Sequence, residues 1–171
     1  QPDRPSGRGR VLTPPPVKSL AQELNLPIIQ PERLRQPEAQ GQLQGWRPDL
    51  IVVAAFGQIL RPVVLDLPRY GCVNVHASLL PRWRGAAPIN AAILHGDAKT
   101  GITIMVMDPG VDTGPILSQQ EELISPVDTA TSLSKRLAEL GSLLLIETLP
   151  AYLSGSLLSK PQDGANATYA P

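Results

Sequence analysis

Residues 50–55 read LIVVAA, apolar at every position. Side chains alternate between the two faces of a strand, so this run needs cover on both, which is the condition of a central parallel strand between layers of helices. An α/β fold is therefore expected, and the remaining pattern agrees. Val17, Leu20, Ala21 and Leu24 recur at helical spacing, Asn25 suits the left-handed residue that ends a helix, and Pro27 forbids continuation. A short strand is expected over 27–30, then a second, poorly patterned helix in the Gln-rich stretch up to Gly45. Residues 63–67 read as a helical turn, 72–76 as the next strand, and 88–94 as a helix with proline in its first turn. Residues 102–107 and 116–124 follow as strands. Asp128 or Thr129 then caps a long helix whose Leu133, Leu137, Leu140 and Leu144 share one face. From Leu157 onward the chain is polar and shows no clear element. This order implies a mostly parallel sheet that receives its ligands outside the carboxyl ends of its strands.

A chain of 171 residues, 42% of them hydrophobic, buries one core and is most simply a single domain. No run of about 18 apolar residues is present and no signal-peptide core opens the sequence, so it reads as soluble and cytoplasmic. The lone cysteine, Cys72, excludes an internal disulfide and a multi-cysteine metal site, and no metal is expected. Gln1 stands in a Pro/Gly/Arg-rich segment that reads as the inside of a loop, so a fragment is expected. Its GRGR is not a dinucleotide fingerprint, because no strand precedes it.

Net charge is zero but unevenly spread: residues 1–96 hold 11 Lys/Arg against 6 Asp/Glu, and residues 97–171 hold 4 against 9. Within QPDRPSGRGRVLTPPPVK, Arg4, Arg8, Arg10 and Lys18 face only Asp3. Such a segment suits a polyanionic partner, and equally a solvated loop.

In CVNVH, residues 72–76, Cys72, Asn74 and His76 share one strand face and Val73 and Val75 the other. Two polar groups thus converge near the strand's carboxyl end. After the next strand comes Asp108-Pro-Gly-Val-Asp112-Thr-Gly, a turn that an adjacent strand can bring to His76. An amide and an imidazole can hold an oxygen that gains charge, while a carboxylate orients the ring or moves a proton: the equipment for acyl transfer without a covalent intermediate. The same groups also build structural networks, and the pattern alone leaves both readings open. Cys72 reads as a small strand hydrophobe, not a nucleophile, His95 as a solvated helix cap, Met105 and Met107 as strand core, and Trp46 as cover for a strand edge. Arg82 and Arg84 flank Trp83 and either line a cleft or stack on the indole.

The longer strings NVHASLLPRWRGAAPI and TGITIMVMDPGVDTGPIL resemble the 10-formyltetrahydrofolate-dependent formyltransferases, from Gln1 into the long helix and on toward Tyr169. The resemblance implies a Rossmann-like formyltransferase fold, mostly parallel, with helices on both faces and incomplete at its N-terminus. It implies that Asn74, His76 and Asp112 are the catalytic trio. Ser78, Leu79, Leu80 and Pro81 match the turn associated with the folate, and Phe56, Gly57, Gln58, Ile59 and Leu60 the wall that holds the pteridine. Core packing competes for each of these, above all for Leu79 and Leu80. Arg4, Arg8, Arg10 and Lys18 match a basic loop that approaches initiator tRNA.

The implied reaction moves the formyl group of 10-formyltetrahydrofolate, a co-substrate, to the α-amino group of methionyl initiator tRNA, with no membrane involved and a monomer when full length. Asn74 and a protonated His76 hold the oxyanion, and Asp112 orients His76 and helps move the proton. Relatives carry a βαβ unit ahead of the basic loop and a C-terminal barrel, both absent from these residues. Residues 1–171 are thus expected to be one partial catalytic domain, with 1–18 facing tRNA and 156–171 opening an interdomain linker. The alternatives are a sibling formyltransferase acting on glycinamide ribonucleotide or an amino-sugar nucleotide, a formyltetrahydrofolate hydrolase, or an inactive RNA-binding remnant.

Overall fold

A computed structural model describes residues 1–6 and 10–171, which form two compact units, Gln1–Arg47 and Pro48–Pro171. In the first, β1 (Arg4–Ser6) pairs antiparallel with β2 (Val11–Thr13), and α1 (Pro16–Glu23) and α2 (Pro37–Trp46) follow. Proline opens both helices, where its missing N–H has no intrahelical partner to lose. Asn25 (φ 53°) and Arg47 (φ 47°) take left-handed conformations just beyond the helix ends, as the sequence leads one to expect for Asn25. The strand expected over 27–30 does not form. Those residues belong to no strand, and the flanking prolines Pro27 and Pro31 remove two backbone donors that a ladder would use.

The second unit is built on a four-stranded sheet in the order β3 (Ile51–Ala54), β4 (Cys72–His76), β5 (Lys99–Val106), β6 (Ile116–Leu123). The α/β character holds, but the sheet is mixed where a mostly parallel one was expected. The β3–β4 pair is parallel, whereas β4–β5 and β5–β6 are antiparallel. The long polar turn between β5 and β6 contains no crossover helix, and without one a parallel return is out of reach. β3, expected at the centre, lies at one edge of this sheet among the described residues, and Val52 is 43% exposed.

Between β3 and β4 lies the single turn α3 (Pro62–Leu65), and between β4 and β5 lies α4 (Pro88–Leu94). After β6 comes α5 (Ala130–Leu153), whose Thr129 N-cap and Ser132 exchange side-chain and backbone hydrogen bonds in a capping box. Val73, Ile102, Ile104 and Leu117 pack with Leu133 and Leu137 of α5, and Leu140 and Leu144 join the same core, as their spacing predicts. Burying each such side chain stabilises the fold by about 1.5–3 kcal/mol. α5 approaches the sheet so closely that a Cβ on Gly141 would lie 2.9 Å from Val75. On the opposite face the Cys72 thiol points to the carbonyls of Val64 and Leu65, so α3 covers that side. No helix among the described residues is long and apolar enough to cross a membrane.

The segment after Leu157, which carries no periodic signal, is held by backbone bridges. Lys160 pairs with Ile116 and Tyr169 with Arg84, and Ala170 is buried. A 3₁₀ turn, Gly164–Asn166, lies between them, with Asp163 accepting a hydrogen bond from the Ala165 N–H.

Candidate active site

The strand ends deliver the trio. In β4, Val73 and Val75 enter the helix-covered core, which leaves Asn74 and His76 on the other face near the carboxyl end. The turn after β5 brings the carboxylate. Asp108 Oδ1 accepts from the Gly110 N–H (3.0 Å) and from the Thr113 hydroxyl (2.6 Å), which closes the turn on itself. A Cβ on Gly114 would stand 1.9 Å from the Val106 carbonyl, so only glycine permits that approach. Asp112 adopts the left-handed region (φ 51°) and its side chain turns back toward β4.

There Asp112 Oδ1 accepts from Asn74 Nδ2 at 3.3 Å, and Asp112 Oδ2 accepts from the Gly85 N–H at 2.9 Å and lies 3.6 Å from His76 Nδ1. Only 6% of the His76 side chain and 14% of the Asp112 side chain are exposed. The three residues that the sequence singles out come together. His76 Nε2 is 2.9 Å from the Trp83 carbonyl oxygen. A carbonyl can only accept, so Nε2 carries a proton and Nδ1 is the ring nitrogen that faces Asp112.

The SLLP turn is built around Thr103, which is fully buried and directly opposite His76 in the β4–β5 register. The Thr103 hydroxyl donates to the Ser78 carbonyl and accepts from the Leu80 N–H and from Gln119 Nε2, so every capacity of that group is used. Ser78 and Leu80 are buried, and Leu79 reaches the backbone of Gly101, where a Cβ would meet it at 2.6 Å. For Ser78, Leu79 and Leu80 the side chains thus pack inward, and Pro81 follows half-buried with its carbonyl bonded to the Thr168 N–H. Phe56 to Leu60 follow β3 directly: Leu60 is buried, Phe56 and Gln58 are half-buried, Gly57 takes φ 68°, and Ile59 stays 77% exposed. This segment and the SLLP turn leave the carboxyl ends of the two parallel strands, where α/β folds receive ligands.

Trp83 is fixed on several sides. Its indole N–H donates to Asp97 at 2.7 Å, the Arg82 guanidinium lies 4.3 Å over the ring and also binds Asp97, and His95 packs against it at 4.5 Å. The Arg82 guanidinium, with help from the indole N–H, holds the Asp97 carboxyl below its usual range. Stacking on Trp83 thus falls to Arg82, while Arg84 is buried and donates to Gln162 Oε1. His95 is exposed at the end of α4, and Met105 is core. Burial, with Asp66 nearby, pushes the Cys72 thiol up to about 11, so it is no nucleophile at neutral pH.

Sequence reading missed Trp83 as an acceptor, Gly85 as a donor, and Thr103, Gln119, Asp97 and Gln162 altogether. A polar Thr and Gln inside strands were the available signal for one pair. The tail carried none, because the partners of its Gln162 and Thr168 side chains lie 78 and 85 positions away.

In the first unit, Arg4 Nη2 donates to Gln1 Oε1 at 3.3 Å, and Arg10 takes φ 48° and is exposed. Arg8 lies outside the described residues. Lys18 is paired with Asp3 at 2.7 Å, and Gln30 donates to the same carboxylate, which these two bonds hold below its usual range.

An amide and an imidazole on β4 and a carboxylate from the turn after β5 are gathered in one place, and these are groups that acyl transfer can use. The chain belongs to the formyl transferase family, whose model matches residues 1–149. It is 58% identical over 170 residues to the methionyl-tRNA formyltransferase of Halorhodospira halophila, covering 99% of this chain and 54% of that protein. The chain thus spans about half the length of the curated relatives it matches. Among solved structures it is similar to phosphoribosylglycinamide formyltransferase from Bacillus halodurans (29% identity, TM-score 0.74, covering 82% of this chain and 76% of that one). It is also similar to the formyltransferase PseJ from Anoxybacillus kamchatkensis, solved with a formamido sugar nucleotide and tetrahydrofolate (25% identity, TM-score 0.73, covering 91% and 82%).

Proposed function

We propose that this chain is the partial catalytic domain of an enzyme that transfers the formyl group of 10-formyltetrahydrofolate to the α-amino group of methionyl initiator tRNA. The observation that carries the reading is the convergence of Asn74, His76 and Asp112, within 3.6 Å of one another through Asp112, in a chain this similar to methionyl-tRNA formyltransferases.

The free amine attacks the formyl carbon. Asn74 Nδ2, whose second hydrogen is not engaged by Asp112, and the protonated Nδ1 of His76 hold the oxygen as it gains charge. The Trp83 carbonyl keeps the ring turned so that Nδ1, not Nε2, meets the reacting centre. Asp112 takes the proton released by the amine and returns it, through water, to the N10 nitrogen as its bond to the formyl carbon breaks. A formamide and tetrahydrofolate result, and the protein ends in its starting protonation state. Phe56 to Leu60 and the backbone around Ser78 to Pro81 hold the pteridine, since apolar walls with a few backbone groups suit a flat heterocycle. PseJ, a structural relative, binds tetrahydrofolate, which supports that choice of donor.

Arg4, Arg8 and Arg10 supply tRNA phosphate contacts, which give affinity without reading sequence. Lys18, held by Asp3, anchors the segment that carries them. The gene product acts in the cytoplasm as a monomer.

A sibling activity on a small amine is the second reading, and the two solved relatives support it; their identities of 29% and 25% against 58% place it behind. Incubating the gene product that carries this chain with 10-formyltetrahydrofolate and charged initiator tRNA tests the first. Formylmethionyl-tRNA with equal release of tetrahydrofolate supports it. Transfer only to a ribonucleotide or sugar amine selects the sibling, and release of formate selects a hydrolase. Binding of tRNA with no tetrahydrofolate released selects the remnant.

A further inference from the structure

Gln162 lies in the polar tail, yet it touches both loops of the site. Its Nε2 donates to the carbonyls of Asp112 (2.9 Å) and Gly114 (2.7 Å), and its Oε1 accepts from Nε and Nη2 of Arg84 (3.1 and 2.7 Å). All of the amide's main hydrogen-bonding directions are thereby occupied, and the amide cannot reverse without setting oxygen against carbonyls and nitrogen against guanidinium. Arg84 is itself fixed. It is 6% exposed, its N–H donates to the Thr168 carbonyl, and its carbonyl accepts from Ala170. The next residue, Gly85, gives its N–H to Asp112 Oδ2, and it is pressed so close to the tail that a Cβ would stand 2.4 Å from the Ala170 carbonyl. Asp112 meanwhile sits in the left-handed region (φ 51°), a conformation that a residue other than glycine keeps where its surroundings hold it.

We infer that Gln162 is a positioning residue: by joining Arg84 to the Asp112 main chain it holds the Asp112 carboxylate in register with the Gly85 N–H, Asn74 and His76. The tail is on this account a working wall of the site. The inference rests on the proposed formyl transfer for its effect on rate, but not for its structural content.

The test compares Gln162→Glu and Gln162→Leu with wild type in the gene product that carries this chain, with Ser159→Ala as a control on the exposed part of the same segment. Gln162→Glu keeps the acceptor for Arg84 and loses both donors to the carbonyls. Displacements of about 1 Å at a reacting group cost up to about 100-fold in rate. Accordingly, kcat for formyl transfer falls about 10- to 100-fold in both variants, KM for both substrates changes less than about two-fold, and the thermal midpoint of Gln162→Glu stays near wild type. Amide hydrogen exchange gives the readout that does not depend on activity. The Gly85 N–H loses protection in both variants while the β5 amides keep theirs. Wild-type kcat in Gln162→Glu, or Gly85 protection unchanged, overturns the inference. A uniform rise in exchange across the sheet also overturns it, because it makes the residue a general stabiliser. If wild type transfers no formyl group, the functional reading falls and Gly85 exchange still decides whether Gln162 holds Asp112.

Discussion

The Nε2 of His76 lies 2.9 Å from the carbonyl oxygen of Trp83, seven residues further along the chain. That contact leaves Nδ1 as the ring nitrogen facing Asp112, and Trp83 supplies it from a left-handed backbone conformation (φ 61°). The indole of the same residue is held from outside by Asp97, Arg82 and His95. An exposed ion pair is thus linked to the buried imidazole through one tryptophan.

Replacing Asp97 by Asn tests this link. The variant loses the carboxylate that Arg82 and the indole N–H share, and the protein is expected to be destabilised by about 1–2 kcal/mol at pH 7. Because Asp97 titrates below the usual carboxylate range when folded, its contribution is complete at neutral pH and disappears as pH falls through that lowered value. Thermal denaturation of both proteins at several pH values checks it: the gap is present at pH 7 and closes at strongly acidic pH.

Cys72 should be inert. With its thiol pushed up to about 11 and directed at the carbonyls of α3, alkylation by iodoacetamide at pH 7 is slow in the native protein and complete after unfolding. Cys72→Ala retains formyl transfer and loses about 1 kcal/mol of stability from the small cavity. A large loss of activity with the fold intact would restore the cysteine as a nucleophile.

Gly114→Ala probes the turn that presents Asp112. A Cβ there meets the Val106 carbonyl, which belongs to the backbone and cannot swing aside. The expected cost is about 1–3 kcal/mol of stability together with a fall in kcat, because relief of the clash moves the strand end or the turn. Chemical denaturation and steady-state kinetics report the two effects separately.

For the basic segment, Arg4→Ala or Arg10→Ala is expected to raise KM for tRNA, leave KM for the folate unchanged, and lower the slope of log affinity against log salt by about 1 for each phosphate that is no longer neutralised. Filter binding across a salt series measures it. An unchanged slope removes the segment from the tRNA interface.

Much of this architecture could be read from periodicity. β4 and α4 fall where the spacing puts them, and α5 forms with its cap at Thr129 and its leucine stripe against the sheet. What periodicity could not give was strand direction and long-range pairing. Apolar alternation looks the same in parallel and antiparallel strands, so β5 and β6 carried no sign of their antiparallel return. The LIVVAA run has the composition of a central strand, yet β3 has one neighbour in the described sheet. The meeting of Asn74, His76 and Asp112 was legible because two polar residues share one face of an apolar strand and an acidic turn follows the next one, whereas their role came only from the resemblance of the longer strings. Gln162 was not, since a glutamine in a polar tail differs from its surroundings only once Arg84 and the Asp112 carbonyl are placed beside it.

The most direct measurement is single-turnover formyl transfer by Asn74→Ala and His76→Ala, with circular dichroism confirming that each variant is folded. Each lacks one donor to the developing oxyanion, so the rate of the chemical step is expected to fall about 10²–10³-fold in each. A folded variant of either kind that transfers the formyl group within a few-fold of the wild-type rate would contradict the account.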